Sequence, residues 1–219
     1  MIQSLSSIKK LTQKLSNQDE MMAKLIAEFG VPTFKPWLSD PFTSLIASIT
    51  SQQLSTKAAQ TIYSRVAQQF SLKDISNAKN ISKNNSLLDV KKLAQTNVDT
   101  LRACGLSNSK AHYCIGIALA VFNEELRFED LKKMPPEEAA QTLIQLKGVG
   151  NWTAEMFLIF ALGHKDIFAV DDLGLKKAVQ SLFNLKSLPD KKKMLECSQN
   201  WSPYRSIASW YLWRHLESD

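Results

Sequence analysis

The sequence predicts an all-α protein, and three observations carry that expectation. Glycine and proline number 7 each in 219 residues, together about half the usual share of about 12 %. So few turn residues disfavour a many-stranded sandwich or barrel. No segment alternates apolar and polar residues with the period of two that a half-buried strand requires. Apolar residues instead recur at intervals of three and four, the spacing that lines one face of an α-helix.

Ile2, Leu5, Ile8, Leu11 and Leu15 form one such stripe, and Met21, Met22, Leu25, Ile26 and Phe29 a second, closed by Gly30 and Pro32. Residues 31–40 (VPTFKPWLSD) read as a connector. Asp40 is an N-cap with Pro41 at the first helical position, and Leu45, Ile46 and Ile49 carry that helix to about Thr50. Residues 51–54 (SQQL) interrupt the pattern. Ser55 caps the next helix, whose inner face is Ala59, Ile62, Val66 and Phe70. Residues 76–86 (SNAKNISKNNS) read as a loop. One helix is expected through Val90, Leu93, Ala94, Val98 and Leu101, ended by Gly105, and a long, mostly buried one over Ser107–Phe122. Pro135 and Pro136 open another, with Glu137 and Glu138 in the first turn, where negative charge suits the helix dipole. Its buried side is Leu143, Ile144 and Leu146. A helix from Trp152 to Leu162 follows, then helices from Asp172 and from Tyr204 to the end.

Hydrophobic residues at 44 % and charged residues at 22 % suit a chain with a real core. A net charge of +6 permits a polyanionic partner without demanding one. The longest apolar runs, Cys114–Phe122 and Met156–Leu162, fall short of the roughly 18–20 residues that span a bilayer. The first fifteen residues lack the continuous apolar stretch of a secretory signal. Cys104, Cys114 and Cys197 have no zinc-type spacing and read as buried free thiols. The expected setting is cytoplasmic.

Residues 146–154 (LKGVGNWTA) stand between two helical patterns. The glycines flanking Val149 permit backbone that a side chain would forbid, and the helix starting just after them turns its first N–H groups outward. That arrangement binds phosphate without a basic side chain. An ordinary αα-hairpin with a glycine turn has the same sequence pattern. About twenty residues on, Asp171 and Asp172 lie in residues 168–175 (FAVDDLGL), where an N-cap and its neighbour would also look like this.

Taken together, residues 144–153 (IQLKGVGNWT) and the Asp pair resemble the helix–hairpin–helix and the catalytic Asp of the HhH-GPD superfamily of DNA glycosylases. In the family's bifunctional branches the second residue after the glycines is a lysine that attacks the sugar. Here it is Trp152, and an indole cannot form a Schiff base. Only Cys197 lies where the iron–sulfur branch carries four cysteines. Trp152 with the Asp pair resembles the alkylpurine branch, the DNA-3-methyladenine glycosylase II family. Residues 42–59 (FTSLIASITSQQLSTKAA) look like that family's wedge loop with its flanking helices. Residues 101–118 (LRACGLSNSKAHYCIGIA) look like its central helix entry, and residues 201–214 (WSPYRSIASWYLWR) like its C-terminal signature. The likeness runs from about Pro41 to Arg214. The length leaves no room for the β-rich N-terminal domain of larger bacterial members, so the compact form is expected.

The resemblance implies two helical lobes, about 1–35 with 168–219 and about 36–167, with the active site in the cleft between them. It implies a monofunctional glycosylase that flips alkylated purines out of double-stranded DNA and hydrolyses the N-glycosidic bond. Asp172 would be the catalytic anion and Asp171 structural, a choice that only family register makes. Trp152, Trp213 and Met156 would line the base pocket. Gln52, Gln53, Leu54, Ser55, Gly148, Val149, Gly150 and Thr153 would meet DNA, with Gln53, or its neighbour Leu54, filling the gap left by the flipped nucleotide. No cofactor is required. The family's hairpin commonly carries a sodium or potassium ion on backbone carbonyls, here those of Ile144, Leu146 and Val149. A monomer is expected, working at the nucleoid in a bacterium or in the nucleus of a eukaryote. Two other readings fit the same residues: a glycosylase for mismatched or oxidised bases, and a helix–hairpin–helix DNA-binding protein without activity. Tyr204 and Arg205 belong to the C-terminal signature, but Arg205 also reads as a structural ion-pair partner. Lys191–Lys193 reads as a solvated run.

Overall fold

The structure is a computed structural model that describes residues 5–33, 40–72 and 87–218. The expected loop at 76–86 and most of the 31–40 connector lie outside the described residues. In chain order the α-helices are α1 (Leu5–Gln18), α2 (Glu20–Phe29), α3 (Pro41–Ser51), α4 (Thr56–Phe70), α5 (Val90–Ala94), α6 (Val98–Ala103), α7 (Asn108–Phe122), α8 (Phe128–Leu131), α9 (Pro136–Ile144), α10 (Asn151–Phe160), α11 (Leu173–Leu182), α12 (Lys191–Ser198) and α13 (Arg205–Ser218). A single 3-10 turn, Gln199–Trp201, precedes α13. Extended pairing among the described residues is one antiparallel bridge, Ser71 with Leu88. The all-α expectation holds. None of the described helices is long and apolar enough to cross a membrane.

Side-chain caps decide where most of these helices begin. The Asp40 carboxylate accepts from the Thr43 N–H at 2.7 Å, with Pro41 at the first helical position. Ser55, Ser107 and Asp172 cap α4, α7 and α11 in the same way. Each cap satisfies one N–H that the helix ladder leaves over, typically worth about 1 kcal/mol. The single helix expected over 90–104 is in fact two. Asn97 accepts from the Thr100 N–H at 2.9 Å and starts α6 afresh, so the apolar period continues across a break in the backbone. Lys191–Lys193 opens α12, which Asp190 caps. On α7 the apolar run is not fully covered, because Leu119 and Phe122 are exposed.

The chain forms two compact units, Met1–Lys35 with Leu158–Asp219, and Pro36–Phe157. The expected second boundary was near residue 167; it falls earlier, within α10. In the first unit α1 and α2 pack with α13 around Leu15, Met22, Leu25, Leu175, Trp201, Ile207 and Tyr211, all buried. Fully burying one such side chain contributes roughly 1.5–3 kcal/mol. The Tyr211 hydroxyl donates to the Gly30 carbonyl at 2.7 Å, and the Gln18 amide donates to the Ser202 carbonyl at 2.9 Å. Arg205 grips Asp166 with two parallel bonds, Nε to Oδ1 at 2.7 Å and Nη2 to Oδ2 at 2.9 Å. Arg205 is thus a structural partner at the start of α13.

The second unit has its core around Leu45, Ile46, Ile49, Tyr63, Val66, Leu93, Leu101, Ile117, Leu143 and Phe157. The Thr43 hydroxyl accepts from the Leu88 N–H at 3.0 Å, which ties the chain entering α5 to the start of α3.

Candidate functional site

The residues singled out above fall into two groups, one in each unit. In the second unit, α9 and α10 flank a turn at residues 145–150. Gly148 has φ of +89°, a conformation that disfavours any side chain. It also lies against the Tyr113 ring, and a Cβ there would overlap three ring carbons, the farthest at 2.9 Å. Gly150 is different. A Cβ at Gly150 would meet nothing within 4 Å. The first turn of α10 follows directly, and the leading N–H groups of a helix lie outside its own ladder.

Val149 and Thr153 are buried, at 4 % and 5 % exposure. The Gln52 amide is also turned inward. It donates to the Gly148 carbonyl at 3.0 Å and to the Thr153 hydroxyl at 3.3 Å. Beyond it, Gln53 adopts φ of +54°, uncommon for a residue with a side chain, and is exposed. Leu54 is 40 % exposed, and the Ser55 hydroxyl is occupied as the cap of α4. The expected interruption of the helix at 51–54 is therefore a tight turn that aims Gln53 and Leu54 outward. Lys110, which the sequence did not single out, donates to the carbonyls of Thr50 at 2.9 Å and Gln52 at 2.6 Å. Burial lowers its pKa, countered in part by the neighbouring Cys114.

Five tryptophans in a helical protein would mostly fill core, and Trp201 does so at 0 % exposure. Trp152 does not; at the start of α10 it is 48 % exposed. Met156, one turn on, is buried.

The carbonyls of Ile144, Leu146 and Val149 lie where α9 ends and the turn follows. The Gly148 carbonyl is engaged by Gln52, and the Leu146 carbonyl accepts from the Val149 N–H at 3.0 Å. A carbonyl oxygen keeps a second lone pair in such a bond. Neutral oxygen donors of this kind are the chemistry that a hard monovalent cation takes. Among the described residues no three His, Cys, Asp or Glu side chains gather as a metal site.

In the first unit the two aspartates have unlike surroundings. Asp171 is exposed and forms an ion pair with Lys176 at 3.4 Å. Asp172 is half-buried. Its Oδ1 accepts from the Leu175 N–H at 2.8 Å, as the cap of α11, and from the Trp213 indole N–H at 3.0 Å. Of the pair, Asp172 is the N-cap, and the same oxygen also accepts from the indole. Phe160 packs on Trp213 with ring centroids 5.7 Å apart. A Cβ at Gly174 would come to 3.1 Å from Asp172 Oδ1 and 3.2 Å from Trp213 Cδ1. Neither Phe160 nor Gly174 was singled out in the sequence. A glycine in the first turn of a helix is a poor helix former, and that was the available signal. Burial pushes the Cys114 thiol up to about 12, so it is an inert core group.

The chain matches the family described as HhH-GPD superfamily base excision DNA repair protein over residues 46–203. It is 33 % identical to the alkylbase DNA glycosidase-like protein mag2 of Schizosaccharomyces pombe over 95 % of this chain and 94 % of that protein. Among solved structures it is similar to a DNA-3-methyladenine glycosidase from Bacillus halodurans, at 31 % identity and a TM-score of 0.80, covering 94 % and 88 % of the two chains. It is also similar to the 3-methyladenine DNA glycosylase Mag1 of Schizosaccharomyces pombe in complex with abasic DNA, at 31 % identity and a TM-score of 0.73, covering 95 % and 97 %.

Proposed function

Because the chain belongs to the HhH-GPD superfamily of base excision DNA repair proteins, we propose that it is a monofunctional DNA glycosylase for alkylated purines of the 3-methyladenine and 7-methylguanine type. The observation that carries this reading is the fixed carboxylate of Asp172, held at one oxygen by the Leu175 N–H and the Trp213 indole.

Alkylation at N3 or N7 leaves the purine cationic and already a good leaving group. The enzyme then needs little acid catalysis. It needs an anion near C1′ as positive charge develops on the sugar. Asp172 supplies that anion, and its two donors hold it in place before the substrate arrives. Water attacks C1′, the C1′–N bond breaks, and the departing base takes the bonding electron pair and leaves neutral. The sugar keeps the water's hydroxyl, and one proton is released. Extrusion of the base from the duplex precedes these steps. Gln53, with Leu54 beside it, fills the gap. Trp152, exposed at the start of α10 with Met156 one turn on, offers its ring to a cationic base by stacking and cation–π attraction, and Trp213, beside Asp172, offers the same. The open space at Gly150 and the start of α10 suit a DNA phosphate. A sodium or potassium ion on the carbonyls of Ile144, Leu146 and Val149 would add charge to that contact. Trp152 offers no amine, so no strand cleavage accompanies base release. The protein works as a monomer, wherever the cell keeps its DNA.

The test is release of 3-methyladenine and 7-methylguanine from a methylated duplex by the pure protein, with strands breaking only after alkali. Asp172→Asn should lower release about a hundred- to a thousand-fold, the range for removing one preorganised electrostatic contact, while duplex binding stays. Asp171→Asn should remain active. Loss with Asp171→Asn and activity with Asp172→Asn would reverse the two roles, and no release by the unaltered protein would end the proposal.

A further inference from the structure

Three contacts around the turn at residues 52–54 converge although their residues are far apart in sequence. Lys110, in the first turn of α7, gathers the carbonyls of Thr50 and Gln52. Gln52 passes its amide on to the hairpin, at the Gly148 carbonyl and the Thr153 hydroxyl. Tyr113, three residues after Lys110 and so on the same side of α7, packs against Gly148. One helix thus holds the turn with an ammonium and the hairpin with a ring, while Gln52 joins the two. The arrangement is internal: the Lys110 ammonium faces carbonyls and lies partly removed from water, which lowers its pKa.

We infer that Lys110, Gln52 and Tyr113 form a brace that makes the exposed turn at Gln53 and the hairpin a single rigid body, so that Lys110 is a positioning residue for insertion of Gln53 into damaged DNA. This rests on the proposed glycosylase function, in which Gln53 enters the gap beside the flipped base. The strained φ of Gln53 is the kind of conformation that persists only when its surroundings hold it, and the brace supplies that hold on the N-terminal side of the turn. A lysine placed here for phosphate contact would instead act by charge alone.

The two roles separate by experiment. Binding is measured for a duplex carrying one tetrahydrofuran abasic analogue and for the same duplex undamaged, across a series of salt concentrations. Lys110→Met should lower the preference for the abasic duplex about ten-fold, the loss expected for one charge-assisted hydrogen bond. Affinity for undamaged DNA and its salt slope should not change. Gln52→Ala should lower the same preference by a similar factor. The double variant should lose about ten-fold rather than a hundred-fold, because either change breaks the same connection. Melting curves of each variant check folding, and Gln52→Ala keeps the test decisive if Lys110→Met does not fold. An equal loss on both duplexes, with a salt slope smaller by about 0.9, would make Lys110 a phosphate ligand and overturn the brace. So would losses that multiply, or unchanged preferences in the single variants. An unaltered protein with no preference for the abasic duplex would count against the glycosylase function itself.

Discussion

Around Asp172 the atoms of the proposed site are fixed by side-chain and cap donors, an indole N–H and a helix N-terminal N–H, and by the space left by Gly174. Around the hairpin they are fixed by backbone conformation: a left-handed Gly148 pressed on Tyr113, a left-handed Gln53, and an amide and an ammonium closing on carbonyls. The first kind of region tolerates backbone variety but depends on individual hydrogen bonds, and through them on charge. The second depends on backbone shape and leaves no room for added volume at Gly148. In the proposed reaction, chemistry at a sugar carbon needs one oxygen in one place, which the donors to Asp172 would provide. Contact with a regular phosphate backbone needs a shape, which the main chain of the hairpin would provide.

The sharpest way to break the comparison is at the two glycines. Gly148→Ala adds a methyl where φ is +89° and the Tyr113 ring already fills the space. Overpacking and the left-handed backbone together should cost about 2–4 kcal/mol, read as a fall in the urea midpoint at unchanged slope. Gly150→Ala meets open space and should leave that midpoint within about 0.5 kcal/mol, yet weaken duplex binding several-fold. If Gly150→Ala binds DNA as the parent does, the hairpin's open side is not where the backbone of DNA rests. If Gly148→Ala is as stable as Gly150→Ala, the turn is not shape-limited.

Much of this contrast was legible in the sequence, and what was not has a physical reason. Caps are local, so Asp40 and Ser55 could be read from one residue and the apolar pattern after it. The split of the 90–104 segment was missed because the apolar period runs on across Gln95 and Asn97, and periodicity does not register a cap in its midst. The hairpin and the Asp pair stood out by spacing. The surroundings of Asp171 and Asp172 did not, because the indole that distinguishes them lies 41 residues on. Lys110 was invisible for the same reason: its acceptors are 60 and 58 residues away, and an isolated lysine near a helix start has no pattern of its own. Backbone conformation hid the rest. Nothing in the letters of residues 51–54 announces that Gln53 is left-handed.

A second test concerns the region held by side chains. Arg205 and Ser202 hydrogen-bond Asp166 at the start of α13, the helix that carries Trp213. Burial alone would raise the Asp166 pKa, but the bonds from Arg205 outweigh it and hold the carboxyl below its ordinary 3.8. A carboxyl with a depressed folded pKa stabilises the protein above its unfolded value, and that contribution is lost as pH falls through the folded value. Asp166→Asn should therefore cost roughly 1.5–3 kcal/mol at neutral pH. The difference from the parent should shrink below about pH 4, as the parent loses its own ion pair. A gap that stayed constant down to pH 2 would mean the pair contributes by shape and not by charge. Gly148→Ala, whose added methyl meets the Tyr113 ring and no carboxyl, should show such a constant gap in the same titration, and that sets the two regions apart on one axis.

The smallest expected effect falls at Gln53. Holding a side chain at φ of +54° is unfavourable by about 1 kcal/mol, and glycine removes that strain at the cost of a more flexible unfolded chain. Gln53→Gly should therefore leave thermal stability unchanged or raise it by about 0.5 kcal/mol. Losing the inserted side chain should at the same time lower the preference for abasic over undamaged duplex. Stability and function would then move in opposite directions at one residue, the signature of strain kept for a purpose. A clear loss of stability would show that the Gln53 side chain supports the fold, and the turn would then belong with Asp172 among regions held by side chains. An unchanged lesion preference would pass the wedge role to Leu54, the other exposed side chain of the turn.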